Sequence, residues 1–113
     1  MSIDQHIPTF NDLEFRKHPS GTGFAARHTF PNRYSISVVC GESFYSQPRV
    51  NLPTAHDYES FEVAVFDPEG EFVTREFSRE VFNDYDVAGY QSRDEVSDLM
   101  TRIFLKDKLD RML

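Results

Sequence analysis

Apolar and polar residues alternate with period two through several stretches of this chain, then give way to a helical repeat near its end. Phe24, Ala26, His28 and Phe30 fall on one side of an extended segment, with Ala25, Arg27 and Thr29 on the other. Tyr34, Ile36, Val38 and Cys40 share one face of the next, opposite Ser35, Ser37 and Val39. Two serines on that second face predict that it meets solvent. Phe61, Val63 and Val65 mark a further strand, and Leu13 to Lys17 a short one. Asp67-Pro68-Glu69-Gly70 suits a type I turn followed by a glycine bulge, so Glu71 to Phe77 is expected to return as a fifth strand.

The period changes after Gln91. Ser92-Arg93-Asp94-Glu95 forms a capping box, and Val96, Leu99, Met100 and Ile103 follow as one apolar stripe. Acids at the start of this segment and Lys106, Lys108 and Arg111 near its end suit the helix dipole. The helix is expected from Arg93 to about Met112, with i,i+4 pairs Asp98–Arg102 and Asp107–Arg111. The predicted fold is α+β: an antiparallel sheet of four to five hairpin-linked strands packed on one C-terminal helix. Residues 13–113 form the single domain, and residues 1–12 read as a flexible arm. Residues 42–58 make an unusually long connection that holds apolar groups, which suggests a lid or a partner contact. Residues 78–91 read as a loop in which Val81, Phe82 and Val87 plug the core.

Composition supports a packed domain. The chain has 113 residues, and 14% are aromatic, enough apolar area to offset ordering entropy. Cys40 is its one cysteine, so neither an internal disulfide nor a multi-cysteine metal site can form. The opening segment lacks the basic-then-apolar pattern of a signal peptide, and no stretch has the length of a membrane span. A cytoplasmic protein is expected.

Charge refines the functional expectation. The net charge is −7, and it is unevenly placed. Residues 1–56 carry 5 Lys/Arg against 4 Asp/Glu, whereas residues 57–113 carry 7 against 15. A negative second half repels phosphate backbones, which disfavours nucleic-acid binding and suits a basic protein partner. Tyrosine and acid interleave at Asp57-Tyr58-Glu59 and at Asp84-Tyr85-Asp86, the predicted partner-binding residues. The plainer reading is that these tyrosines pack and the acids keep loops wet.

Catalytic signals are thin. The four histidines (His6, His18, His28 and His56) lack metal-ligand spacing, so neither a metal nor another cofactor is expected. Cys40 could serve as a nucleophile with His28 on the neighbouring strand, as a small hydrolase would need, yet its apolar face argues for an inert thiol. Gly21-Thr22-Gly23 lacks the strand-to-helix setting of a phosphate loop.

Three segments carry a resemblance. Phe30-Pro31-Asn32-Arg33-Tyr34-Ser35-Ile36-Ser37-Val38-Val39 resembles the F-P-N-G-Y-G-x-S-V-V run of a group of small tailed-bacteriophage proteins. Asp86-Val87-Ala88-Gly89-Tyr90-Gln91-Ser92 with Glu95-Val96 is similar to their D-V-x-G-Y-x-S-x-x-E-V run, and Phe61-Glu62-Val63-Ala64-Val65 to a central Y-E-V-A-V strand. Arg33 and Ser35 depart from the two glycines of the first run. The resemblance spans residues 13–105 and implies a phage-encoded accessory protein of small α+β fold, working in the cytoplasm of an infected host. It supplies no activity. A non-enzymatic protein that binds a host or phage protein is therefore expected, with antagonism of host defence as one such role. The alternative is a structural or regulatory homodimer formed through an open sheet edge.

Overall fold

The computed structural model describes residues 6–79, 81, 86–106 and 108. Five antiparallel strands lie in sequence order across one sheet: β1 (Arg16–Lys17), β2 (Phe24–Thr29), β3 (Ser35–Cys40), β4 (Phe61–Phe66) and β5 (Ala88–Gln91). Among the described residues one α-helix, α1 (Arg93–Phe104), closes a face of the sheet. The α+β class and the antiparallel order follow the pattern of the chain. The central ladder pairs Ala26 with Val38, and Val38 with Val63, so the alternating apolar faces coincide across three strands.

The core lies between that face and α1. Ile36, Val38, Val63 and Val65 pack with Val96, Leu99, Met100 and Ile103, all of them buried. Ser92 begins the helix as expected: its Oγ accepts the Glu95 amide at 3.1 Å, and the Glu95 carboxylate accepts the Ser92 amide at 2.8 Å. Arg102 donates to Asp98 at 2.7 Å, and the Asp107–Arg111 pair lies outside the described residues.

Several sequence expectations change. Only Arg16 and Lys17 of the segment 13–17 join the sheet, while Leu13 and Phe15 pack against the core. Phe10, inside the expected arm, is 4% exposed; its ring lies 4.8 Å from that of Phe61, and its amide donates to Ser97 Oγ. The chain is thus anchored from Phe10 onward.

The Asp67–Gly70 reversal forms as expected, with Gly70 in a left-handed conformation and its amide bonded to the Asp67 carbonyl at 2.9 Å. The returning strand does not continue to Phe77. Thr74 enters a 3-10 turn over Thr74–Glu76, and its hydroxyl accepts the Val65 amide at 2.9 Å while donating to the Asp86 carbonyl at 2.7 Å. A side chain thereby takes the ladder position, and the slot beside β4 passes to β5, within the segment 78–91 read as loop. Of its expected core plugs, Val81 and Val87 are half-buried and Phe82 lies outside the described residues.

The outer sheet face is less wet than two serines suggested. Ser35 and Val39 are buried. The Arg27 guanidinium covers the former end, donating to Ser35 Oγ at 3.2 Å and lying 4.3 Å from the Phe66 ring centre.

Candidate protein-docking site

Residues 42–58 fold back on the sheet instead of standing free. Ser46 is fully buried, and its hydroxyl accepts the Gly41 amide and donates to the Gly41 carbonyl. Tyr58 is 1% exposed; its hydroxyl donates to the Val50 carbonyl at 2.7 Å and accepts the Leu52 amide at 2.9 Å. Tyr58 therefore ties the loop to the core, and burial removes it from the expected partner surface.

The remaining expected contacts scatter. Asp57 is exposed but caps a 3-10 turn, accepting from the Thr54 amide and hydroxyl. Asp86 is half-buried; its Oδ1 lies 3.9 Å from Arg75 Nε without a hydrogen bond. Asp84 and Tyr85 lie outside the described residues. Glu59 lines a surface cleft of about 540 Å³, shared with Gln47, Pro48, Arg49 and Tyr90.

A register shift builds that cleft. Phe61 faces Gln91 and Val63 faces Ala88, so Glu62 stands opposite both Gly89 and Tyr90. The surplus residue drives Tyr90 to φ 55°, a conformation that costs a side-chain-bearing residue about 1–2 kcal/mol. Tyr90 thus turns off the sheet and stays 39% exposed. Its amide donates to the Tyr45 carbonyl at 2.9 Å, and the two rings lie 6.2 Å apart. Glu62 accepts the Tyr45 amide at 2.9 Å, and the Arg49 guanidinium sits 5.3 Å from the Tyr45 ring centre. Two tyrosines, an arginine and two carboxylates therefore meet where β4, β5 and the long loop converge.

Pattern reading missed Tyr45, Arg49, Glu62 and Tyr90. The length of the loop pointed to Tyr45 and Arg49, and Gly89 beside Tyr90 was a bulge signal.

The catalytic pair considered from sequence does not assemble. Cys40 faces Phe24, and His28 faces Ile36, four residues along the ladder, about 13 Å at strand rise. Cys40 is fully buried, and burial pushes its thiol up to about 12. Because that value exceeds the unfolded one of 9.0, this thiol's contribution to stability is complete below pH 9 and is lost as pH rises from 9 towards 12. Native protein at pH 8 is expected to leave an aromatic disulfide reagent unreacted until denaturant is added. Rapid labelling of the folded chain would contradict the buried placement.

Among the described residues no group of three His, Cys, Asp or Glu side chains is placed to hold a metal ion. No helix among them is long and apolar enough to cross a membrane. No family model, curated protein or solved structure matches this chain.

Proposed function

We propose that this chain is a small non-enzymatic accessory protein that binds another protein through the Tyr45–Tyr90 cleft. Tyr90 carries the reading: an exposed aromatic is held in a strained backbone conformation that glycine would adopt freely. Strained residues of that kind cluster at functional sites, and unlike Arg33, which shares the conformation at a turn, Tyr90 lines a cleft. Tyrosine and arginine are enriched among the residues that dominate binding energy; Glu59 supplies a carboxylate in the cleft, and Glu62 lies beside it, bonded to the Tyr45 amide. The complementary partner presents a basic side chain, which would stack on the tyrosine faces and reach a carboxylate. The resemblance to small tailed-phage proteins supports a host or phage protein as that partner, in the cytoplasm of an infected bacterium.

The test separates folding from binding. Tyr90→Gly relieves the left-handed strain and is expected to hold or raise the melting temperature. The same substitution, and Glu59→Lys independently, should lower retention of the bacterial partner in affinity capture by about tenfold or more. Capture that is equal for wild type and both variants would remove this cleft from the function.

A further inference from the structure

The edge of the sheet at β2 is a second surface, remote in the strand order from β5 and its cleft. Backbone parity shows what it offers. The Phe30 amide donates to the Tyr34 carbonyl at 2.8 Å, which places Phe30, and with it His28, Ala26 and Phe24, in the pairs that bond towards β3. Ala25, Arg27 and Thr29 then direct their amides and carbonyls the other way. Ala25 meets Arg16 of β1, and the His18 amide bonded to the Gly23 carbonyl at 3.0 Å continues the same parity. β1 extends no further than Arg16 towards the chain start. Arg27 and Thr29 consequently have no strand beside them among the described residues.

The space beside that edge is a groove. A cleft of about 520 Å³ lies between β2 and residues 12–19, and a further one of about 310 Å³ continues past Asp12 and His28 to Thr29. Its cations are Arg16, Lys17 and Arg27. Of its two carboxylates, Asp12 accepts the Thr9 amide at 2.8 Å and contacts His6 at 2.9 Å, which hold its carboxyl below the usual range. Glu14 lies 3.8 Å from Arg16. The groove is therefore net positive in a chain of net charge −7, and screening over about 8 Å lets the local sign prevail.

We infer that β2 takes up an extended acidic peptide segment of a partner protein as an added strand. The peptide backbone would pair with the amides and carbonyls of Arg27 and Thr29. Its carboxylates would meet Arg16 and Lys17, with Arg27 adding its charge from the outer face of the sheet. Charge favours this occupant over a second copy, since pairing two β2 edges would bring two cationic strands together.

Thr29→Pro is the decisive variant. It removes an amide hydrogen that points off the sheet, a position where proline is tolerated. The probe is a labelled eight-residue peptide of alternating Glu and Val, with a Lys–Val peptide as control. Saturable binding of the Glu–Val peptide is expected, shifting the Arg27 and Thr29 amide resonances, and about tenfold weaker for Thr29→Pro. Should that variant not fold, the double variant Arg16→Glu/Lys17→Glu decides, because both side chains are exposed. It should weaken the Glu–Val peptide and favour the Lys–Val one. The inference is overturned by absence of Glu–Val binding at millimolar concentration, by equal binding of both peptides, or by indifference to the decisive variant. It is equally overturned if sedimentation finds a dimer that Thr29→Pro dissociates.

Discussion

Gly23→Ala is expected to destabilise the protein by about 2–5 kcal/mol, whereas Gly21→Ala, two residues earlier, should cost about 1 kcal/mol or less. Both glycines sit at positive φ, 77° and 95°, so both substitutions incur the left-handed penalty. Both also gain a similar offset of about 0.4–1 kcal/mol from a stiffer unfolded chain. They differ in what the new methyl meets. At Gly21 nothing lies within 4 Å. At Gly23 the added carbon would fall 2.5 Å from the Cys40 carbonyl oxygen, with the Phe44 ring at 3.2 Å. The Cys40 carbonyl is backbone at the end of a central strand and cannot swing aside as a side chain would. Urea unfolding of the two variants measures the difference directly. Equal losses would mean that the turn between β1 and β2 does not press against the end of β3. Close approach of two chain segments thus accounts for Gly23, and positive φ alone for Gly21.

Phe61→Ala should cost about 3–5 kcal/mol, a large share of the stability of a domain this size. Phe61 is fully buried at the start of β4. Its ring lies 4.8 Å from Phe10 and 5.8 Å from Phe15, and the Arg93 guanidinium sits 5.6 Å above it. Arg93 in turn donates to the carbonyls of His56 and Tyr58, both at 2.8 Å. Truncation would leave a cavity where the N-terminal segment, the helix start and the long loop converge. Thermal unfolding should show a melting temperature lower by roughly 10 °C or more. Phe66→Ala is the contrast, because that ring lies on the half-exposed outer face of the same strand, and it should cost clearly less. A Phe61→Ala loss no larger than that of Phe66→Ala would contradict the placement of the core.

The candidate site was legible only in part. Glu59 was found from its place beside tyrosine and acid, but Tyr58 followed the same rule and lies in the core. An alternating acid–tyrosine string does not tell which tyrosine has a pair of backbone partners waiting inside. Val50 and Leu52 supply that pair for Tyr58, and they reach it only because the loop folds back. Tyr45 and Tyr90 are 45 residues apart in the chain, and their meeting depends on a bulge opposite Glu62. The open edge at β2 was foreseen as a kind of feature. Its place follows from β1 stopping after two residues.

Local chemistry determined what could be read along the chain. The capping box at Ser92, the apolar stripe from Val96 to Ile103, the faces of β2, β3 and β4, and the Asp67–Gly70 reversal all depend on residues within a few positions of one another. Their period and turn chemistry carry the same meaning in any fold. Tertiary structure alone decided the fate of Thr74, of β5 and of Phe10. Glu71 to Phe77 has a strand's alternation, yet the Thr74 hydroxyl satisfies the Val65 amide and the Asp86 carbonyl together. The chain can then leave the ladder without stranding a buried polar group, and Ala88–Gln91 takes the vacated place beside β4. Competition for one edge of one strand is settled by which partner satisfies more of the backbone, and that comparison exists only once the competing segments are brought together in space.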